Sequence, residues 1–457
     1  MFEKLKTILA RIDADYADIR YEIKKETAIV FNGNELTSIG SNSTDGYVIR
    51  VLRNGGLSSI AYTKETDTEN AIRTVVENAL LISKNKKVPT RFAKTGSVKD
   101  TFIPQLNEDP RSISMEEKLE LTRKYNSIPL HKDKIATTNI GYSELIREKY
   151  FVSSEGSEIR EELITPRVGG TITAKDGNIL QNVRVGIGGS SGFAILRNVE
   201  EQFEKKTSIA IQLLKAKPVK AGAYDVIINP DLAGVFTHEA FGHFSEADLI
   251  EDSPSMREKM KLGAKLGNEI LNIKDDPTLP DQLGHYKYDD EGVEARPTQL
   301  MKGGVLTGRL HSRRTAAAFD EPISGHCVAE DYRFAPIIRM GTIFIEPGDS
   351  SIDDLFQKLD DGLYLLDAKG GETSGENFTF GTQYGYVVKN GKIVEMIRDV
   401  NISGNLYQTL KNIVAIGNDL ELCRPGMGGC GKGHQSNIRS CHGAPHILIK
   451  NVVCGGA

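Results

Sequence analysis

The chain has 457 residues, enough for two or three domains with a sizeable core. Its 57 basic and 62 acidic side chains leave a formal net charge of −5 without a long basic run. That balance argues against nucleic acid as a principal ligand, because phosphate neutralisation needs clustered Lys and Arg. No apolar stretch of about 18 residues exists, so no membrane-spanning helix is expected. The first 15 residues lack the apolar core of a signal peptide. An odd count of five cysteines, with no disulfide framework, fits a reducing cytoplasm.

In chain order, residues 1–14 carry Leu and Ile at helical spacing. Alternating apolar and polar residues over 17–24, 27–31, 47–53 and 57–62 predict a meander of strands with one wet face. Helical period returns over 67–85, a polar connection spans 86–113, and 114–126 predicts another helix. Residues 134–196 are strand-like and glycine-rich, and a helix follows over 197–215. Pro218 marks the strongest boundary. It divides an N-terminal α+β region, 1–217, from a C-terminal domain, 218–457, with 1–90 and 110–217 as candidate subdomains of the first.

The second half opens with a strand over 224–228 and a helix that carries the motif described below. Lys302-Gly-Gly304 and Asn390-Gly391 are hairpin signals, the latter favouring a type I′ turn, and 446–453 closes as a strand. Strands mixed with a few helices, without regular βα alternation, predict an α+β fold with a largely antiparallel C-terminal domain. The 45 glycines imply tight turns and exposed backbone along a cleft, where an extended peptide can add as a strand.

The chemistry concentrates in the run from Asn229 to Asp248. Asn229 is a helix N-cap, with Pro230 at the first helical position. His238, Glu239 and His243 then supply two imidazoles beside a carboxylate, the set that a hydrolytic metal site requires. The spacing is one residue longer than His-Glu-x-x-His. On a regular helix i,i+5 residues lie about 140° apart, so both histidines reach one ion only if the turn widens. A π-bulge does this, and Gly242 would ease the distortion. Leu232, Phe236, Ala240, Phe244 and Ala247 form an apolar stripe for packing on a sheet. The competing reading is two unrelated histidines on a partly buried helix, and a third ligand decides between them.

Four of the five cysteines, Cys423, Cys430, Cys441 and Cys454, lie near the C-terminus, with His434, His442 and His446 among them. Cys430 is the best candidate there. Its glycine-rich loop lets backbone approach an ion, and Lys432 would favour the thiolate. Glu246 or Asp248 as an oxygen ligand is the alternative. Cys441 and Cys454 read as small buried thiols. A separate structural zinc site is disfavoured, because no Cys-x2-Cys or Cys-x4-Cys pair is present. Arg339 and Asn405 are candidates for binding substrate, against a more economical role in structural hydrogen bonding.

These residues together resemble the TldD/PmbA family of metallopeptidases, in its motif-bearing TldD-type branch. The resemblance rests on the helix 238–248, Asp289-Asp-Glu-Gly292, Pro336-Ile-Ile-Arg-Met340 and Gly370-Gly-Glu372. It continues through Arg398-Asp-Val-Asn-Ile-Ser-Gly-Asn405, Ile416-Gly-Asn-Asp419 and the loop 428–432, in that order. It implies that His238, His243 and Cys430 bind one zinc ion and that Glu239 is the catalytic carboxylate. It also implies short or unfolded peptides as substrates and a dimer, either a homodimer or a heterodimer with a PmbA-type subunit. The loop Gly426-Met-Gly-Gly-Cys430 departs from the family form by one extra glycine. The expected mechanism is metal-assisted hydrolysis with Glu239 as general base. The alternative is a non-hydrolytic peptide- or partner-binding or regulatory protein with a structural metal, which would have no need of Glu239.

Overall fold

The computed structural model describes residues 1–424 and 429–456. Residues 16–188 build one seven-stranded sheet from β1 (Tyr16–Asn32), β2 (Glu35–Arg53), β3 (Gly56–Tyr62), β4 (Lys99–Phe102), β5 (Ile135–Ser153), β6 (Glu158–Asp176) and β7 (Ile179–Gly188). Its order is β3-β2-β1-β5-β6-β4, with β7 on β6, and only β4 runs parallel to its neighbour. The two short segments expected at 17–24 and 27–31 are one strand, because β1 keeps register with both β2 and β5 through the polar run Lys24–Glu26. Helices α1 (Phe2–Leu9) and α2 (Thr68–Asn85) cover one end of the sheet, and α3 (Met115–Leu130) and α4 (Glu200–Leu213) cover the other.

The face expected to be wet is dry. Asp18, Arg20 and Glu22 of β1 are buried, as are Arg147 and Lys149 of β5. They meet the C-terminal half: Arg20 donates to the carbonyls of Asp331 and Phe334, each at 3.0 Å, and Lys149 lies 3.0 Å from Asp290. Alternation reported the polarity of this face correctly and its exposure wrongly. Burying these charges costs several kcal/mol per ion unless they are paired, and here opposite charges face each other across the two halves.

The C-terminal half is mainly antiparallel and surrounds one large apolar core. Its central strand β8 (Gly222–Ile228) is followed by α5 (Pro230–Phe236), β9 (Thr342–Ile345), β10 (Gly362–Ser374), β11 (Asn377–Lys389), β12 (Lys392–Arg398) and β13 (Asn401–Asn405). The C-terminal strands are β14 (Glu421–Leu422), β15 (Cys430–Lys432), β16 (Gln435–Ile438), β17 (Cys441–Ala444) and β18 (Ile447–Gly455). An eight-stranded sheet contains the order β10-β8-β18-β13-β11-β12, while β9, β17 and β14 are neighbours in a second sheet. Helix α5 packs on β10 from the first sheet and β17 from the second. The architecture is the expected α+β class. Asn390 and Gly391 both have positive φ, 49° and 68°, as the β11–β12 hairpin requires.

Candidate metal centre

The motif helix begins as its sequence dictates. Asn229 Oδ1 accepts from Leu232 N at 3.1 Å and from Asp367 N at 3.0 Å, so one side chain caps α5 and ties it to β10. Leu232, Phe236 and Ala240 are buried, and the helix then widens into a π turn over Thr237–Gly242. The bulge inferred from the histidine spacing is therefore present. It brings the His238 and His243 rings to 5.3 Å between centroids, with planes at 89°. Gly242 serves it for a different reason from the one expected. Its φ of −56° suits any residue, but a Cβ there would fall 2.1 Å from Met340 Sδ. Space, not backbone freedom, requires glycine.

Four ligand-type groups converge. His238 Nε2 is 3.0 Å from Cys430 Sγ, and His243 Nε2 is 3.6 Å from the same sulfur. Glu239 Oε2 lies 3.4 Å from His243 Nε2, and all four groups fall within 4.8 Å of one another. A tetrahedral zinc with bonds of 2.0–2.3 Å separates its ligand atoms by about 3.3–3.8 Å, so the spacings fit one ion. His238 and Cys430 are buried, whereas the Glu239 side chain is 33% exposed and so reaches water. Residues 425–428, where the extra glycine of the loop falls, lie outside the described residues.

The surroundings act on the two imidazoles in opposite directions. Burial and the positive neighbours His243, His442 and Arg339 push His238 well below the usual imidazole range. A neutral ring is the form that ligates a metal. Burial also disfavours a charged His243, but Cys430, Glu239 and Glu246 outweigh it and push its pKa up to about 11.

Glu246 and Asp248 do not join this cluster. Glu246 is fully buried on the far side of His243, with Oε2 3.5 Å from Nδ1. Lys432 Nζ lies 2.8 Å from Glu246 and 2.6 Å from Asp248, so the lysine serves these acids rather than the Cys430 thiolate. Burial disfavours the Glu246 carboxylate, yet Arg339, His243 and Lys432 hold it down at about 2. Arg339 is fully buried with Nη1 3.5 Å from Glu246 Oε1, so it faces the acid rather than a substrate. Asn405 caps the helix Leu406–Asn412 through Tyr407 N at 3.1 Å, the structural role.

Among the tail residues, Cys441 and Cys454 are buried thiols as expected, and His446 is held by Asp419 at 2.6 Å. Sequence reasoning missed Thr373, whose hydroxyl donates to the Glu239 carbonyl at 3.2 Å. It also missed that Asp231, Cys423 and His442 come together. No local spacing announces either.

Comparison with known proteins places the chain in a family. The family descriptions "PmbA/TldA metallopeptidase domain 1", "central domain" and "C-terminal domain" match residues 17–83, 108–217 and 221–456. The chain is similar to a metalloprotease of Synechocystis, with 34% identity over 97% of this chain and 95% of that one. It is 31% identical to a "Zinc metalloprotease TldD homolog" of Saccharolobus solfataricus, over 100% of both chains. Among solved structures, TldE from Thermococcus kodakarensis shares the fold, with a TM-score of 0.80 at 19% identity and 100% coverage of both chains. The family matches and the metalloprotease relatives together make this chain a metallopeptidase. The chain belongs to the TldD/PmbA metallopeptidase family. Among the described residues no helix is long and apolar enough to cross a membrane.

Proposed function

We propose that this metallopeptidase is a zinc enzyme that hydrolyses short or unfolded peptides, with one ion held by His238, His243 and Cys430 and with Glu239 as general base. The observation that carries the reading is the convergence of both Nε2 atoms on Cys430 Sγ, at 3.0 and 3.6 Å, beside a carboxylate open to water. The mixed nitrogen and sulfur donors suit zinc, the metal in the name of the Saccharolobus relative. When bound, the ion supplies Lewis acidity to the scissile carbonyl and the attacking water. Glu239 takes the proton of that water and passes it to the leaving amine. Glu246 holds His243 from its Nδ1 side, and Thr373 fixes the backbone of the π turn at Glu239.

A groove of about 590 Å³ supports an extended peptide as substrate. It runs along Ala28 and Val30 of β1, Gly141 and Tyr142 of β5 and Gly429, the neighbour of Cys430. Both strands are paired on each side at these residues, so a peptide would lie across the face of the sheet rather than add to it as a strand, and a groove of this size favours unstructured chains over folded proteins. We further propose a cytoplasmic dimer, either of this chain or with a PmbA-type subunit. The test is mass-spectrometric analysis of an unstructured peptide and a folded protein incubated with native, chelator-stripped and zinc-restored enzyme. Cleavage of the peptide alone, lost on stripping and regained with zinc, is expected. Cleavage that survives complete stripping would refute the metal-dependent reading. Sedimentation with and without a PmbA-type subunit decides the assembly.

A further inference from the structure

A second set of metal-ligating groups lies beside the first and takes no part in the mechanism above. Asp231 stands in the first turn of α5, Cys423 directly follows β14, and His442 is in β17. Pairing of Leu422 with Gly443 sets Cys423 opposite His442, and Cys423 N donates to the His442 carbonyl at 2.9 Å. Cys423 Sγ is 3.3 Å from Asp231 Oδ1, and His442 Nε2 is 3.9 Å from that oxygen. The three ligand atoms lie within 4.8 Å of one another.

We propose that Asp231, Cys423 and His442 form a second metal site, taking Zn²⁺ or a divalent ion of similar softness. Oxygen, sulfur and nitrogen donors in one cluster suit zinc, and the separations approach the edges of about 3.3–3.8 Å of a tetrahedral site. His442 Nε2 is buried and makes no hydrogen bond among the described residues. A buried ring nitrogen without a partner is costly unless something else satisfies it. The other carboxylate oxygen of Asp231 accepts from Ala368 N at 2.9 Å, which turns Oδ1 towards the cluster. Gly234 leaves room for the ring, since a Cβ there would fall 2.6 Å from His442 Cδ2. The Asp231 side chain is 40% exposed, which gives an ion a route from solvent.

The two sites are mechanically linked. Asp231 and His238 are seven residues apart, about two helical turns, so they share a face of one helix at a separation of about 10 Å. The His442 ring lies 6.1 Å from the His238 ring. An ion in the second site ties the start of α5 to β14 and β17, and so braces the helix that carries the first site. A nucleophilic role for Cys423 is disfavoured, because burial and the Asp231 charge push its thiol well above its ordinary value. Binding releases the thiol proton now donated to Asp231, one proton per ion.

The test counts metal on folded protein, each variant checked by circular dichroism. Equilibrium dialysis against Zn²⁺ is expected to leave two ions on the wild type, one on His243→Ala/Cys430→Ser and one on Cys423→Ser/His442→Ala. One ion on the wild type and none on His243→Ala/Cys430→Ser would overturn the second site. Loading with Co²⁺ gives an independent readout that needs only the milder variant. Cys423→Ser should lose about half of the thiolate-to-cobalt charge-transfer intensity, and an unchanged band would overturn the proposal. Neither readout involves peptide cleavage, so its failure leaves the proposed peptidase reading standing.

Discussion

Glu246 Oε2 lies 3.5 Å from His243 Nδ1, on the side of the ring away from Cys430. A carboxylate behind a ligating imidazole fixes the ring's orientation and raises its basicity. Glu246→Gln keeps the shape and removes the charge. Zinc affinity should fall roughly 10–100-fold, the usual cost of losing such a partner. Competition with a chromophoric chelator measures this, and an unchanged affinity would deny Glu246 the role.

Gly242 meets Met340 Sδ at 2.1 Å from an added Cβ. Gly242→Ala should destabilise the fold by about 1–3 kcal/mol through overpacking and disturb the π turn. Adding Met340→Ala should recover part of that loss, a favourable coupling that urea unfolding of the four proteins in the cycle would reveal. Strict additivity would show that the contact does not govern the site.

Asp290 sits between Lys149 Nζ at 3.0 Å and Arg20 Nη1 at 3.4 Å, and accepts from Ala329 N at 2.7 Å. Burial disfavours its carboxylate, but Arg20, Lys149 and Arg147 outweigh that and hold it well below the usual range. Its contribution is therefore fully present above the unfolded pKa of about 3.9 and is lost as pH falls through the lower folded value. Asp290→Asn should cost about 3 kcal/mol near neutrality, because it leaves buried cations short of an anion. The gap between wild type and variant should narrow below about pH 4 in urea titrations. A gap that widened on acidification would reverse the sign of the argument.

Much of the candidate site is legible in the sequence. Asn229 and Pro230 announced the helix start, and the five-residue step between His238 and His243 called for the widened turn that is present. Cys430 was one of several candidates on chemistry alone, and its convergence with both histidines depends on contacts 192 and 187 positions apart in sequence. The same range hid the partners of Lys432, 186 and 184 positions away, and led to the expectation that it served the thiolate. Alternation found the strands of the first sheet but not the burial of their charged face, because that burial belongs to the packing of one half on the other. Gly242 reads in the sequence as easing the widened turn, whereas only the position of Met340 reveals the steric demand for glycine.

The most direct test of the account compares wild type with Glu239→Gln for zinc content and cleavage of an unstructured peptide in the same preparations. Equal zinc in both, with cleavage lost only in the variant, is the predicted result, because the proposed mechanism has Glu239 move protons while His238, His243 and Cys430 hold the ion. Cleavage by Glu239→Gln at the wild-type rate would contradict it.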